Sequence, residues 1–228
     1  MIYITENKKF NESGRDMKAI LFDLDGTLLD TSKGVIESAV LTAKKLGYEE
    51  LPYSTMMTFI GPPIQDSFKK HYHSNDETAQ KAANIFRNYY LEYATTNANV
   101  YPGVHELMKE LNRRKVKIAV ATYKREDIAL KILKNFKLDV YCDVIHGADN
   151  FNKLTKTDII NICINEIDID RKEVALVGDT EHDAVGALKA GISFIGVTYG
   201  LGFKSDNDIL NFPNIGIVNN IKDILNII

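Results

Sequence analysis

Two carboxylates one residue apart, Asp23 and Asp25, directly follow the apolar run Ala19-Ile20-Leu21-Phe22 and precede Gly26-Thr27. Acids at this spacing can hold a hard cation and leave one oxygen free to attack phosphorus, while the glycine lets backbone approach a ligand closely. An Asp-Gly pair also marks ordinary hairpin turns. The pair therefore means most if other reactive side chains gather around it. Three groups are of the right type: Thr122 with Tyr123 and Lys124 behind it, Lys156, and Gly178-Asp179 with Asp183 one helical turn later.

The elements needed to bring them together are legible as period changes along the chain. The run ending at Phe22 reads as a buried strand of a parallel sheet, and such sheets bind ligands at the carboxyl ends of their strands. From Tyr101-Pro102-Gly103 onward, helices alternate with short apolar strands. Segments 104–114, 125–136, 157–167 and 184–190 read as helices, and 116–122, 143–147, 173–178 and 193–197 as strands, with a short helix at 221–228. This rhythm predicts an α/β fold, a doubly wound, Rossmann-like parallel sheet. Thr122, Asp179 and the Asp23/Asp25 pair then fall at strand ends along one edge. Lys156 opens the helix between two of those strands.

Between the first strand and the later units the pattern is helical only. Asp30-Thr31-Ser32 offers N-cap side chains, and Val35, Ile36, Ala39, Val40, Ala43 and Leu46 recur at helical spacing up to Gly47. Phe59-Ile60-Gly61-Pro62-Pro63-Ile64 interrupts, and Ala79 to Tyr93 resumes the helical period. No strand signal is found between Thr31 and Asn97. The expected division is an extension or tag at residues 1–16, an α/β core at 17–30 and 99–228, and an inserted all-helical cap at 31–98.

Composition narrows the function classes. The 228 residues carry a net charge of only −3, which gives no ground for nucleic acid or an anionic membrane as a partner. No signal peptide or membrane-length apolar run is present, and Cys142 and Cys163 lack metal-ligand spacing, so the expectation is a cytoplasmic protein with reduced thiols. Cys163 reads as a small buried hydrophobe. Oligomeric state leaves no mark on the sequence.

Taken in order, these residues resemble the haloacid dehalogenase superfamily, and within it the phosphatases with a small helical cap. Phe22-Asp23-Leu24-Asp25-Gly26-Thr27 resembles the first motif, Thr122 the second, Lys156 the third, and Gly178-Asp179-Thr180-Glu181-His182-Asp183 the fourth. Phe59 to Phe68, Tyr101-Pro102-Gly103-Val104 and Gly196-Val197-Thr198-Tyr199-Gly200 are similar to the phosphoglycolate phosphatase and 5'-nucleotidase-like branch. The resemblance implies a Mg²⁺-dependent phosphatase acting on a small phosphorylated metabolite. Asp23 would be the nucleophile and Asp25 the general acid and base. Asp23, the Asp25 carbonyl and Asp179 would hold the metal, with Asp183 orienting these ligands. Thr122 and backbone amides, with Gly26 and Tyr123 close by, would hold the phosphoryl group, and Lys156 would offset its charge. Tyr123 and Thr157 depart from the family pattern, where Ser or Asn, and Pro or Ala, are common.

Plainer readings stand beside these. Thr122 could end a strand and cap the next helix, Lys124 reads as a solvated helix-start residue, and Lys153 competes with Lys156. His71 and His73 read as solvated, His182 as a loop residue near the site, and Arg113-Arg114-Lys115 as a solvated helix end. Among functions, a β-phosphoglucomutase-like mutase would need a His soon after the first motif and an Arg in the cap loop, and neither is present. A non-enzymatic phospho-acceptor module resembling a receiver domain would lack the helical insertion.

Overall fold

The computed structural model describes residues 16–93 and 97–228. The proposed extension, residues 1–16, lies outside them except for Asp16. Strands are β1 (Ala19–Phe22), β2 (Leu29–Asp30), β3 (Asn99–Val100), β4 (Lys117–Arg125), β5 (Val144–Ala148), β6 (Val174–Gly178), β7 (Ser193–Val197) and β8 (Gly216–Val218). Helices are α1 (Ser32–Lys45), α2 (Tyr53–Met56), α3 (Ile64–Tyr72), α4 (Asp76–Tyr93), α5 (Val104–Arg113), α6 (Glu126–Asn135), α7 (Lys156–Ile167), α8 (Glu181–Ala190) and α9 (Asp206–Leu210).

Six strands form one parallel sheet in the order β5-β4-β1-β6-β7-β8. The chain leaves β1 for one side of the sheet and returns to the other, so β1 sits where the winding reverses, the usual place for a ligand crevice. Its period of two is satisfied on both faces. Ile20 and Phe22 join the core shared with α5, α6 and the inserted helices, while Ala19 and Leu21 face the core under α7 and α8. Phe22 pairs with Val120 on one side and Val177 on the other. β1 stops at this level, while β4 and β6 run on beside it.

The insertion is helical as expected. α1 and α3 both pack on α4, and Phe59, Phe68 and Tyr72 form a ring cluster with centroids 5.4–6.4 Å apart. His71 belongs to this cluster and is not simply solvated: it stacks on Phe59 at 5.3 Å and its Nε2 lies 2.9 Å from Thr58 Oγ1. β2, β3, β8 and α9 went unread in the sequence. β2 and β3 form a short antiparallel pair where the insertion leaves and rejoins the core, and β8 and α9 complete the far edge. Two corrections concern boundaries: β4 runs on through Arg125, and the C-terminal turn at Ile221–Asn226 is a 3-10 helix. Among the described residues no helix is long and apolar enough to cross a membrane.

Candidate active site

Asp23 follows β1 directly, its N–H donating to the Val177 carbonyl at 2.9 Å, which keeps it in register with β6 for one more residue. Asp179 and Thr122 are reached one residue beyond the facing ends of β6 and the Ala121 position of β4. All three side chains are buried. Lys156 is the first residue of α7, whose start is fixed by a capping box between Thr155 and Asp158. Its ammonium lies 2.6 Å from Asp23 Oδ1 and donates to it. It also lies 2.6 Å from Asp183 Oδ1, a second ion pair. The rival Lys153 instead has its ammonium 5.8 Å from the Phe151 ring.

Asp183 has a second task that the sequence spacing alone could have shown. As the third residue of α8 it forms a capping box with Thr180, its Oδ2 accepting from Thr180 N at 3.0 Å and Thr180 Oγ1 at 2.7 Å. Its other oxygen is thereby aimed at Lys156. Asp179 is held from three directions, by N–H donors of Leu201 and Gly202 at 2.8 Å each and by Thr27 Oγ1 at 3.3 Å.

The packing leaves no slack at Gly26. Its φ of +84° is left-handed, and a Cβ there would lie 2.2 Å from Asp179 Oδ2. Glycine is required both by the turn and by the carboxylate beside it.

Asp25 has different company. Its Oδ2 pairs with the Lys124 ammonium at 2.7 Å, and its Oδ1 accepts from Thr31 Oγ1 at 2.7 Å. Lys124 in turn donates to Tyr90 Oη of α4 at 2.9 Å and lies 4.2 Å from that ring's centroid. The reading of Lys124 as a solvated helix-start residue is thus overturned: it sits in β4 with its side chain 7% exposed. Thr31 also departs from expectation, since its hydroxyl serves Asp25 and makes no capping bond to α1. Thr122 Oγ1 accepts from Lys124 N at 3.2 Å, within the part of β4 where the register with β5 shifts. Tyr123 Oη accepts from Lys156 N at 2.9 Å, and its ring meets His182 edge-on at 5.4 Å. His182 lies in the first turn of α8, not in a loop.

Charge in this site does not balance. Oxygens of Asp23, Asp179 and Asp183 lie within 4.8 Å of one another, and all three residues are buried. Among the described residues, only Lys156 answers them with an ammonium. Burial pushes Asp23 up to about 7 against the pull of Lys156, and burial with the Asp183 charge pushes Asp179 up to about 6 against its backbone donors. Lys156 is raised, because Asp183 and Asp23 outweigh the burial that would lower it. Three buried acids against one base leave room for two positive charges, and every donor is a hard oxygen. The set fits a divalent cation such as Mg²⁺.

The chain is similar to known proteins. Residues 20–197 match the family model described as "Haloacid dehalogenase-like hydrolase". The chain is 30% identical over 188 residues to a 5'-nucleotidase of Pseudomonas aeruginosa, covering 82% of this chain and 85% of that one. It is 32% identical over 176 residues to a phosphoglycolate phosphatase of Aquifex aeolicus, covering 77% and 82%. The crystal structure of a protein described as a "predicted phosphatase" from Clostridium acetobutylicum superposes with a TM-score of 0.86 at 34% identity, covering 92% of this chain and 99% of that one. The chain belongs to the haloacid dehalogenase-like hydrolase family.

Proposed function

We propose that the protein hydrolyses small phosphomonoesters in two displacements at phosphorus, with Asp23 as nucleophile and Asp25 as the proton carrier. The observation that carries this reading is the three-acid, one-lysine imbalance at the sheet edge, which suits a site built for a divalent cation and a phosphoryl dianion together. Asp23 and Asp179, with the backbone carbonyl of Asp25, would hold Mg²⁺. Bound there, the ion would supply positive charge to the phosphoryl oxygens and keep Asp23 ionised.

In the first displacement an Asp23 oxygen forms a bond to phosphorus as the ester P–O bond breaks, and Asp25 gives its proton to the departing oxygen. In the second, Asp25 takes a proton from water, the water oxygen bonds to phosphorus, and the Asp23–phosphorus bond breaks to release inorganic phosphate. Lys156 offsets the repulsion between carboxylate and dianion, and Thr122 offers a hydroxyl to a phosphoryl oxygen. The inserted helices, reaching Asp25 through Tyr90 and Lys124, exclude bulk water from the cavity when they lie against the core. Asp183 keeps Lys156 in place and does not touch the substrate.

The test is hydrolysis of para-nitrophenyl phosphate. Wild type should turn over with Mg²⁺ and stop in EDTA, and Asp23→Asn should lose at least ~1,000-fold in kcat with its circular dichroism unchanged. Wild-type rates in that variant would refute the assignment of Asp23. A stable phosphoprotein without turnover would point to signalling instead.

A further inference from the structure

We propose that the cavity beside Asp25 selects esters carrying a second anionic group, and that Arg87 of α4, with Arg125 at the end of β4, holds that group. The proposal rests on the phosphatase reading and narrows its substrate class.

Arg87 is only 6% exposed, yet among the described residues no carboxylate lies within ion-pair distance of its guanidinium. It donates to neutral oxygens, the Asn150 carbonyl at 3.0 Å and Asn150 Oδ1 at 2.7 Å. Arg125 Nη1 donates to the same Asn150 Oδ1 at 3.0 Å, while its Nε and Nη2 are spent on Asp127 at 2.5 and 2.7 Å. Two guanidiniums thus meet on one uncharged amide oxygen. Burial, and then the Arg125 charge, lower Arg87 to about 10, as expected where a cation lacks its counter-ion. The other acid near them, Asp149, is engaged by backbone N–H groups of Phe151, Lys153 and Leu154. No charged partner for Arg87 is left within the protein's described part, and an incoming oxyanion can replace Asn150 Oδ1 with a bidentate contact.

Position fits the chemistry. Arg87 and Arg125 line the same cavity as Asp25, Tyr90 and Lys124. Arg87 precedes Tyr90 by three residues on α4, about 4.5 Å along the axis, and Arg125 follows Lys124 on β4, about 3.3 Å on. Tyr90 and Lys124 touch each other, and Lys124 touches Asp25. The cationic pair therefore stands one short step beyond the group that would protonate the leaving oxygen. A leaving group with its own anion two or three bonds from the ester oxygen spans that step; a long or bulky one does not. A carboxylate and a second phosphoryl group share the chemistry, and the assay separates them.

The experiment compares kcat/KM of the Mg²⁺-loaded protein for 2-phosphoglycolate, pyrophosphate and 2-hydroxyethyl phosphate, whose leaving group is uncharged. At least one substrate with an anionic leaving group should be preferred over 2-hydroxyethyl phosphate by ~30-fold or more, and its identity tells carboxylate from phosphate. Arg87→Gln should cut that preference at least ~10-fold, chiefly through KM, and Arg87→Lys should keep more of it than Arg87→Gln. Turnover of all three with no preference for either anion overturns the inference and leaves the phosphatase reading standing, as does an Arg87→Gln variant that keeps the full preference. Failure to hydrolyse any of them, or para-nitrophenyl phosphate, removes the phosphatase reading and this inference with it.

Discussion

Replacing Gly26 with alanine tests the geometry of the site without removing a reactive group. At φ +84° a Cβ costs about 1–2 kcal/mol through backbone strain alone. The larger penalty is steric, since the new carbon would stand 2.2 Å from Asp179 Oδ2 and 2.6 Å from its Cγ, and the carboxylate must turn away. Turning it forfeits the Leu201 and Gly202 N–H donors, charge-assisted bonds worth about 1.5–3 kcal/mol each. The sum is about 4–8 kcal/mol, a large share of the stability of a domain this size. Gly47 supplies the control: its φ is +76°, but nothing lies within 4 Å of where its Cβ would go. Gly47→Ala should lose only about 1–2 kcal/mol. The decisive measurement is a double-mutant cycle by urea denaturation, with Asp179→Ala as the second change. Because the clashing atoms vanish with the carboxylate, the two losses should fall short of additivity by about 3 kcal/mol or more. Additive losses, or a Gly26→Ala variant no less stable than Gly47→Ala, would refute the claim that Gly26 exists to admit Asp179.

Two further outcomes follow from the charges. Lys156→Met should lower stability by about 3–5 kcal/mol in urea, because Asp23 and Asp183 are left buried without their ammonium; Lys153→Met, which gives up only a distant ring contact, should lose about 0.5 kcal/mol. Equal losses would return Lys153 to contention. His146, 23% exposed, bridges Glu126 of α6 and Glu166 of α7 at 3.0 and 2.7 Å; burial alone would lower its pKa, but hydrogen bonds to the two glutamates outweigh that and raise it. A raised histidine contributes stability that is full below its unfolded pKa of about 6.5 and fades as pH rises through the folded value. The Tm gap between wild type and His146→Gln should therefore be wider at pH 6 than at pH 9, and a gap independent of pH would show that the glutamates act only by packing.

The sheet was readable because its strands are buried on both faces and so appear as unbroken apolar runs, as at Ile118 to Ala121 and Val174 to Val177. Short elements escaped for the same reason in reverse. Leu29–Asp30 and Asn99–Val100 are too brief to show a period, and Gly216–Val218 is an edge strand with one neighbour. Lys124 was missed through a boundary. Placing a helix start at Arg125 made it look solvated, whereas the strand continues to Arg125 and sets Lys124 between Asp25 and Tyr90. Arg87 left a weaker trace still, because nothing in an 18-residue amphipathic helix marks which of its turns will meet a loop 63 residues onward.

The two aspartates that first marked the chain end up under separate control. Asp23 continues β1 and takes its partner from α7, so its surroundings belong wholly to the α/β layers. Asp25 lies past the point where the chain leaves the sheet. The Gly26 N–H there donates to the Leu29 carbonyl and starts the β2 hinge. Its partners are Thr31 at that hinge and Lys124, which is itself gripped by Tyr90 from the insertion. Moving α4 away from β4 would strip Tyr90 from Lys124 and loosen Asp25, while Asp23 would keep Val177 and Lys156, and Lys156 would keep Asp183. In the proposed reaction the attacking group is thus set by the core alone, and the proton carrier is set only when the inserted helices are in place, which couples leaving-group departure to a closed site.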